Sequence, residues 1–386
     1  MRALIAFDKF KDSLTAHETC QTAAETLASR HPDWVIETAP LADGGDGFCE
    51  VLTRQADGVF YETQVTGPQG EQTTAKIGIV SSKKIQERAA KLLNFDLSTD
   101  SIAVIEMAQS SGIALVPNEK RSPWKATTYG LGELINFATE KGAQACVVGL
   151  GGSATHDLAL GALASLGYEF KDAGGNRIEN IPYPKYWNQI QAIVPPKSQA
   201  EMQIRIACDV ENPLLGSQGA AAIFGPQKGM LPADYQTLED ETARMAQLVL
   251  NSKGQDTSPL SSPGTGAAGG AAFGLMVGLS GKIVSGFTLV KDWIGLEQKL
   301  QTADLVITGE GRFDASSLQG KGPGSLVKEA STLGKKSYVF AGSLGEIDPK
   351  RIPLATLVAI SPQEMELAEA IKQTKSNLVG ALQSYL

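Results

Sequence analysis

Histidine is scarce in this chain. Only His17, His31 and His156 occur among 386 residues, too few for a His-ligated zinc centre or a histidine-based nucleophilic triad. Cysteine is little better represented: Cys20, Cys49, Cys146 and Cys208 show no CxxC spacing, and the last two lie in apolar, strand-like runs. They read as buried, reduced thiols of a cytosolic protein. Positive charge is not in excess either. Lys and Arg number 34 against 42 Asp and Glu, a net charge of −8, which argues against nucleic acid as the main partner. An anionic substrate would then have to be met by local Lys and Arg. No GxxxxGK[ST] pattern is present, which excludes a P-loop. Nor is there a long apolar run. The uncharged stretch between Asp256 and Lys282 has an apolar part only over Ala267–Leu279, too short and glycine-rich to span a membrane. Its Gly270, Gly274 and Gly278 are four apart, so they line one helix face and permit close packing inside the protein. The amino terminus turns charged early and lacks a small-residue cleavage site; a first strand is expected there, and no signal peptide.

What the chain does have is length, glycine and alternating βα signals. At 386 residues it exceeds the roughly 250–300 at which single cores split, so two domains are expected. Hydrophobic content of 42% and charged content of 20% are those of an ordinary globular protein with a large core. The 41 glycines concentrate at strand ends. The stretch Ala145–Asp157 is the clearest case. Ala145–Val148 reads as a buried strand, Gly149, Gly151 and Gly152 as a sharp turn, Ser153 and Thr155 as hydroxyl donors, and Leu158–Leu166 as a helix. Strand, glycine turn and helix start form an anion site, because unpaired N–H groups and the helix dipole favour negative charge. The alternative is a tight turn whose glycines serve packing.

In chain order, Arg2–Phe7 reads as the first strand, leading through Lys9, Lys11 and Ser13 to a capping box, Thr15-x-x-Glu18, and a helix to about Arg30. The lysines are either solvated surface charges or ligand groups, since open α/β sheets bind at strand carboxyl ends. Trp34–Pro40 is a second strand, followed by Asp43-Gly44-Gly45, a plain turn or an acceptor for substrate hydroxyls. Gly58–Thr66 and Glu71–Val80 form two strands around Gly67–Gly70, and a domain boundary is placed near Thr66. Ser101–Met107 is a buried strand, and short strands are expected between Gly167 and Ile193. Gln203–Val210 is a strand whose end carries Asp209 and Asn212, which cap a turn or serve magnesium or a hydroxyl proton. Gly264–Gly269 matches GxGxxG, but no strand precedes it. Asp304–Thr308 is a strand followed by Glu310, Arg312, Asp314 and Lys321, a crowding of charge and glycine that favours function. Lys336–Ala341 and Ala355–Ile360 are further strands, and Gln363–Tyr385 is the closing helix.

Seven blocks along the chain resemble the bacterial type I glycerate kinase family. They are Phe7–Lys11, Pro40–Gly45, Val104–Ala108, Gly149–Thr155, Ala207–Leu214, Phe224–Gly229 and Leu305–Arg312. The sequence departs from the family pattern at Asp12, where Gly is usual. It departs also at Asp46-Gly47-Phe48, where Glu-Gly-Thr is usual, and at His156-Asp157-Leu158, where Asn-Asp-Gly is usual. The resemblance implies ATP- and magnesium-dependent phosphorylation of D-glycerate at the 2-hydroxyl. It implies an α/β fold of two domains, one a flavodoxin-like (Rossmann-like) parallel-sheet domain built from both chain ends, the other an inserted second α/β domain. With the βα rhythm these are drawn as residues 1–66 plus 285–386, and 67–284.

On that footing Asp209 and Lys11 are the expected catalytic residues. Lys9, Ser13, Asp43, Gly44, Gly45 and Arg312 are expected to bind substrate, Gly151, Gly152, Ser153, Thr155 and Lys321 the nucleotide, and Asn212, Glu310 and Asp314 the metal. The location expected is cytoplasmic, with no membrane or nucleic-acid partner, as a monomer or homodimer. The competing functions are phosphorylation at the 3-hydroxyl, a nicotinamide oxidoreductase using Gly264–Gly269, or a non-catalytic module for an organic acid. Physics favours the kinase, since phosphoryl transfer asks for positioning and charge neutralisation.

Overall fold

The computed structural model describes residues 1–96, 98–197, 202–319, 322–362 and 364–386. Its strands in chain order are β1 (Arg2–Phe7), β2 (Val35–Thr38), β3 (Val59–Thr66), β4 (Gln72–Ser81), β5 (Ser101–Glu106), β6 (Ala145–Gly149) and β7 (Glu169–Lys171). They continue as β8 (Ala192–Val194), β9 (Gln203–Ala207), β10 (Lys282–Val284), β11 (Leu305–Phe313), β12 (Lys336–Leu344) and β13 (Ala355–Ala359). The chain divides into two compact units. The first comprises Met1–Asp43, Glu50–Gln55 and Val290–Leu386, the second Gly44–Cys49 and Ala56–Leu289.

In the first unit an all-parallel sheet runs β13-β12-β11-β1-β2. Counted along the chain, this is the 2-1-3-4-5 order of flavodoxin-like sheets, with its switch point between β1 and β11. Strand β1 is apolar almost throughout because both its faces are covered, as parallel strands require. Helix Ala16–Arg30 opens with the expected capping box: Glu18 N–H donates to Thr15 Oγ1, and Thr15 N–H to the Glu18 carboxylate. It buries Cys20, Ala23 and Leu27 beside Ile5, Phe7, Leu378 and Leu382. Each such fully buried Leu or Phe contributes roughly 1.5–3 kcal/mol.

The second unit holds a mixed sheet, β10-β9-β6-β5-β4-β3. Strands β5, β6, β9 and β10 are parallel, and β3 and β4 form an antiparallel hairpin at the edge. The boundary near Thr66 had grouped Val59–Thr66 with the amino-terminal βα rhythm. Its hydrogen-bond ladder runs instead to β4, so β3 lies in the second sheet, a pairing that local composition does not encode. The short strands expected between residues 167 and 193 are β7 and β8, an antiparallel ribbon with Phe170 opposite Ile193. Segment Ala267–Leu279 is buried almost entirely, but Ala268, Gly269 and Gly270 take left-handed angles that break the helix, so of the three expected glycines only Gly274 and Gly278 share a helix face. A side chain at Gly274 would strike the Leu158 carbonyl, and one at Gly278 would fall 2.7 Å from Leu163 Cδ2; the four-residue glycine spacing is there for close packing. Among the described residues no helix is long and apolar enough to cross a membrane.

Candidate active site

In the first unit, the loop after β1 and the end of β11 meet at the sheet's switch point. Asp8 N–H donates to the Gly309 carbonyl at 3.0 Å, and Lys9 N–H to Asp8 Oδ1 at 2.7 Å. A Cβ on Gly311 would lie 3.6 Å from Lys11 N, so the loop backbone runs alongside β11. Strand β11 continues to Phe313 rather than ending at Thr308. Glu310 and Arg312 are therefore strand residues, held in register with Ala341 and Ser343 of β12. A strand fixes side-chain direction in a way a loop does not.

Glu310 is the most perturbed carboxylate here. Burial pushes it up to about 7; a hydrogen bond with Ser317 works against this, Asp8 and Asp314 add to it, and Lys9 opposes it. Its Oε1 is buried without a hydrogen-bond partner among the described residues. Asp314 is the opposite case. Ser316 donates to Oδ1 through N–H (2.9 Å) and Oγ (2.6 Å), and Arg312 Nε to Oδ2 at 3.0 Å. These bonds hold it below the usual carboxylate range. Lys11 is exposed. Ser13 has its hydroxyl engaged, donating to the Ile371 carbonyl at 2.7 Å. Asp43 is half-buried, and Lys321 lies outside the described residues.

In the second unit the two glycine turns touch. Gly151 N–H donates to the Gly44 carbonyl at 3.0 Å. A Cβ on Gly149 would sit 2.5 Å from that carbonyl oxygen, and one on Gly151 would fall on Gly45 Cα. Glycine is needed on both sides because backbone packs on backbone. Buried Glu106, at the end of β5, holds the first turn, accepting Gly47 N–H (3.0 Å) and Cys49 N–H (3.2 Å) on Oε2. The expected helix over Leu158–Leu166 begins only at Leu160 and ends at Ser165. Leu158 and Ala159 take left-handed backbone angles, φ 55° and 56°. The neighbouring segment lies close: a Cβ on Gly269 would strike the Thr155 carbonyl, and one on Gly274 the Leu158 carbonyl. A helix start directly behind the glycine turn is therefore corrected: this helix begins at Leu160, after two left-handed residues.

What stands behind that turn is a buried polar cluster. Lys228, 2% exposed, donates from Nζ to Ser153 Oγ at 2.9 Å and to the Thr155 carbonyl at 2.6 Å. Burial pushes its ammonium down to about 7, and Asp157 opposes this. Asp157 Oδ2 accepts Thr128 N–H (2.7 Å), Thr128 Oγ1 (2.9 Å) and Gly161 N–H (3.2 Å). Burial nonetheless lifts it to about 6. His156 Nε2 lies 2.9 Å from Thr242 Oγ1, whose own proton goes to the Leu238 carbonyl. The ring must therefore donate from Nε2, and burial, pushing it down to about 3, keeps it neutral. Sequence reasoning missed Lys228 and Glu106 as site residues, although both lie within the family-like blocks Phe224–Gly229 and Val104–Ala108.

The two carboxyl-end residues of β9 have partners of their own. Asp209 Oδ1 accepts Ser285 Oγ at 2.8 Å, and Oδ2 accepts Phe287 N–H at 2.8 Å, at the start of helix Gly286–Trp293. This is the capping alternative, drawn between distant segments. Asn212 Nδ2 donates to the Gln218 carbonyl at 2.9 Å, and Asn212 belongs to a different unit from Glu310 and Asp314. Among the described residues no group of three or more His, Cys, Asp or Glu is arranged to hold a metal. The Gly264–Gly266 turn packs on the carbonyls of Val210 and Pro213, and a 3₁₀ turn, Ser258–Ser261, precedes it instead of a strand. Its dinucleotide reading is dropped. A cavity of about 650 Å³ lies at the opposite, amino-terminal end of this sheet, lined by Gln203, Arg205 and Lys282 and by none of the expected site residues.

Lysine, arginine and carboxylates at the switch point of a parallel sheet are groups that an enzyme transferring phosphoryl groups can use. The comparisons name the family. The sequence model of the Glycerate kinase family matches residues 3–385. The chain is 37% identical to the glycerate 2-kinase of Escherichia coli strain K12, covering 89% of this chain and 86% of that protein. It is 36% identical to the glycerate kinase of Haemophilus influenzae, covering 100% and 97%. The crystal structure of a candidate glycerate kinase 2 from Salmonella typhimurium LT2 matches with a TM-score of 0.75 at 32% identity, covering 100% of this chain and 98% of that one. The chain belongs to the glycerate kinase family.

Proposed function

We propose that this protein transfers the γ-phosphoryl group of ATP to the 2-hydroxyl of D-glycerate, giving 2-phosphoglycerate. The observation that carries the reading is Glu310: a half-buried carboxylate whose buried Oε1 has no hydrogen-bond partner among the described residues, at the carboxyl end of a central strand, among Lys9, Asp8 and Asp314. A carboxylate so placed can serve as a ligand to a divalent cation. Magnesium carried on nucleotide phosphates keeps most of its water and takes only one or two protein carboxylates, so Glu310 with Asp314 suits it without a dedicated metal cage. Bound there, the ion would neutralise charge building up on the phosphates.

The chain's own residues do the remaining work. Lys9 and Lys11 present positive charge to the carboxylate of glycerate or to the moving phosphoryl group. Arg312 is steered by its bond to Asp314. Asp43, with the Gly44-Gly45 backbone, receives substrate hydroxyls. Gly151, Gly152, Ser153 and Thr155 receive the nucleotide. Asp209 is assigned the start of the helix Gly286–Trp293, where its carboxylate holds Ser285 and the Phe287 N–H, rather than proton abstraction; a loose transition state asks little of a base. The described units are proposed to act as the protein's two domains. The free cysteines suit a reducing, cytoplasmic setting.

Phosphorus NMR of the product formed from ATP, magnesium and D-glycerate tests the reading. A 2-phosphoglycerate signal is expected. Signal at the 3-position overturns the regiochemistry, and unchanged ATP over a panel of hydroxy acids overturns the kinase reading.

A further inference from the structure

The proposed chemistry leaves Lys228 unused although it bonds two expected nucleotide ligands, Ser153 and Thr155. It is almost wholly buried, and a buried ammonium is costly to desolvate; a methionine of similar volume would pack there at least as stably. A purely space-filling role therefore gives no reason for a lysine. What the charge adds is direction. Both of its named bonds go to a single turn, to Ser153 Oγ at 2.9 Å and to the Thr155 carbonyl at 2.6 Å, and charge-assisted bonds of this length are about twice as strong as neutral ones.

The lysine is itself rigidly mounted. It ends the 3₁₀ turn Pro226–Lys228, closed by Gly229 at φ 83°. A side chain at Gly229 would strike the Arg121 carbonyl, so the backbone has no room to shift. The helix after the turn it grips begins only at Leu160. Beside that turn Thr155 Oγ1, His156 Nδ1 and Asp157 Oδ1 are buried without hydrogen-bond partners among the described residues. The neutral imidazole offers a bare nitrogen there and Asp157 a carboxyl oxygen, so the surroundings are acceptor-rich and Lys228 supplies the positive charge.

We propose that Lys228 is a positioning residue for phosphoryl transfer, holding the Gly151–Thr155 turn in the shape that receives the phosphates of the nucleotide. This rests on reading that turn as the nucleotide site, and it assigns the orienting role to a buried lysine. Lys228 does not touch the nucleotide; it acts through Ser153 and Thr155.

The test compares Lys228→Met and Ser153→Ala in the full-length enzyme, measuring KM for ATP, KM for D-glycerate, kcat and Tm, with calorimetry of ATP binding. For Lys228→Met the expected result is a tenfold or greater rise in KM for ATP, with KM for glycerate within twofold and Tm not lowered by more than a few degrees. Ser153→Ala should give a smaller rise in the same constant. A loss of activity that only tracks a lowered Tm, with both KM values unchanged, overturns the proposal. If Ser153→Ala raises KM for ATP and Lys228→Met does not, the turn remains the nucleotide site and the role of Lys228 falls. If neither variant changes ATP binding, the reading of the turn falls and takes the proposal with it. Should Lys228→Met not fold, Lys228→Gln, which keeps an N–H donor without the charge, is judged by the same criteria.

Discussion

Glu310 and Asp157 are both carboxyls lifted well above their ordinary range by burial, to about 7 and about 6, and each keeps one oxygen without a hydrogen-bond partner among the described residues. They nevertheless stand in unlike surroundings. Asp157 is fully buried, and its other oxygen accepts three bonds from Thr128 and Gly161, so it ties two chain segments together. Glu310 sits on a strand end with a hydroxyl and two further carboxylates as neighbours and lysine and arginine close by. A raised carboxyl alone does not mark a reactive group. The company it keeps separates the two: three donors tie Asp157 to two chain segments, whereas two further carboxylates crowd Glu310.

The largest expected effect separates the two directly. Glu310→Gln should lower kcat by roughly a hundredfold or more, the equivalent of about 2.7 kcal/mol in the barrier. Tm should hold or rise, because like charges are relieved. Activity within a few-fold of the parent would put Glu310 in the same class as Asp157.

Asp157 should appear in stability rather than rate. Its folded value of about 6 lies above the ordinary 3.8, so folding favours the protonated form. The stability this brings is complete below about pH 4 and is lost as pH rises to about 6, a difference of about 3 kcal/mol for so deeply buried a group. Asp157→Asn should abolish that slope in denaturant titrations across the window while leaving kcat within a few-fold. A slope that persists in the variant would show that other groups cause it.

Asp209→Asn sharpens the same contrast on a smaller scale. With both oxygens spent on Ser285 and Phe287, the variant should keep kcat within a few-fold and lose about 1 kcal/mol or less of stability. A drop of a hundredfold or more at constant Tm would return Asp209 to the chemistry.

A last contrast, read in stability alone, concerns the backbone of each region. Asp12, in the exposed loop of the first region, and Leu158, in the packed loop of the second, share left-handed angles, φ 62° and 55°. Both stand where the family-like pattern has glycine. Asp12→Gly should gain a few tenths to about 1 kcal/mol from relieved strain. Leu158→Gly should lose stability, since Leu158 is fully buried against Gly270 and the cavity left costs about 2 kcal/mol or more. Equal outcomes in thermal melts would mean that burial does not govern these two positions.

Local chemistry made much of this protein legible from residue order alone. The capping box at Thr15 and Glu18, the apolar strands β1, β5, β6 and β9, the spacing of Gly274 and Gly278 and the family-like blocks each depend on neighbours a few positions away. Such patterns act through short-range sterics and periodic burial, which a single sequence carries. Other features were decided only by tertiary structure. The pairing of β3 with β4, the extension of β11 through Glu310 and Arg312, the cap that Asp209 forms on a helix start distant in sequence, and the burial of Lys228 behind Ser153 all join segments far apart. Whether a lysine is a solvated charge or a buried anchor depends on what packs over it, and that is set by long-range contacts that composition and spacing do not specify.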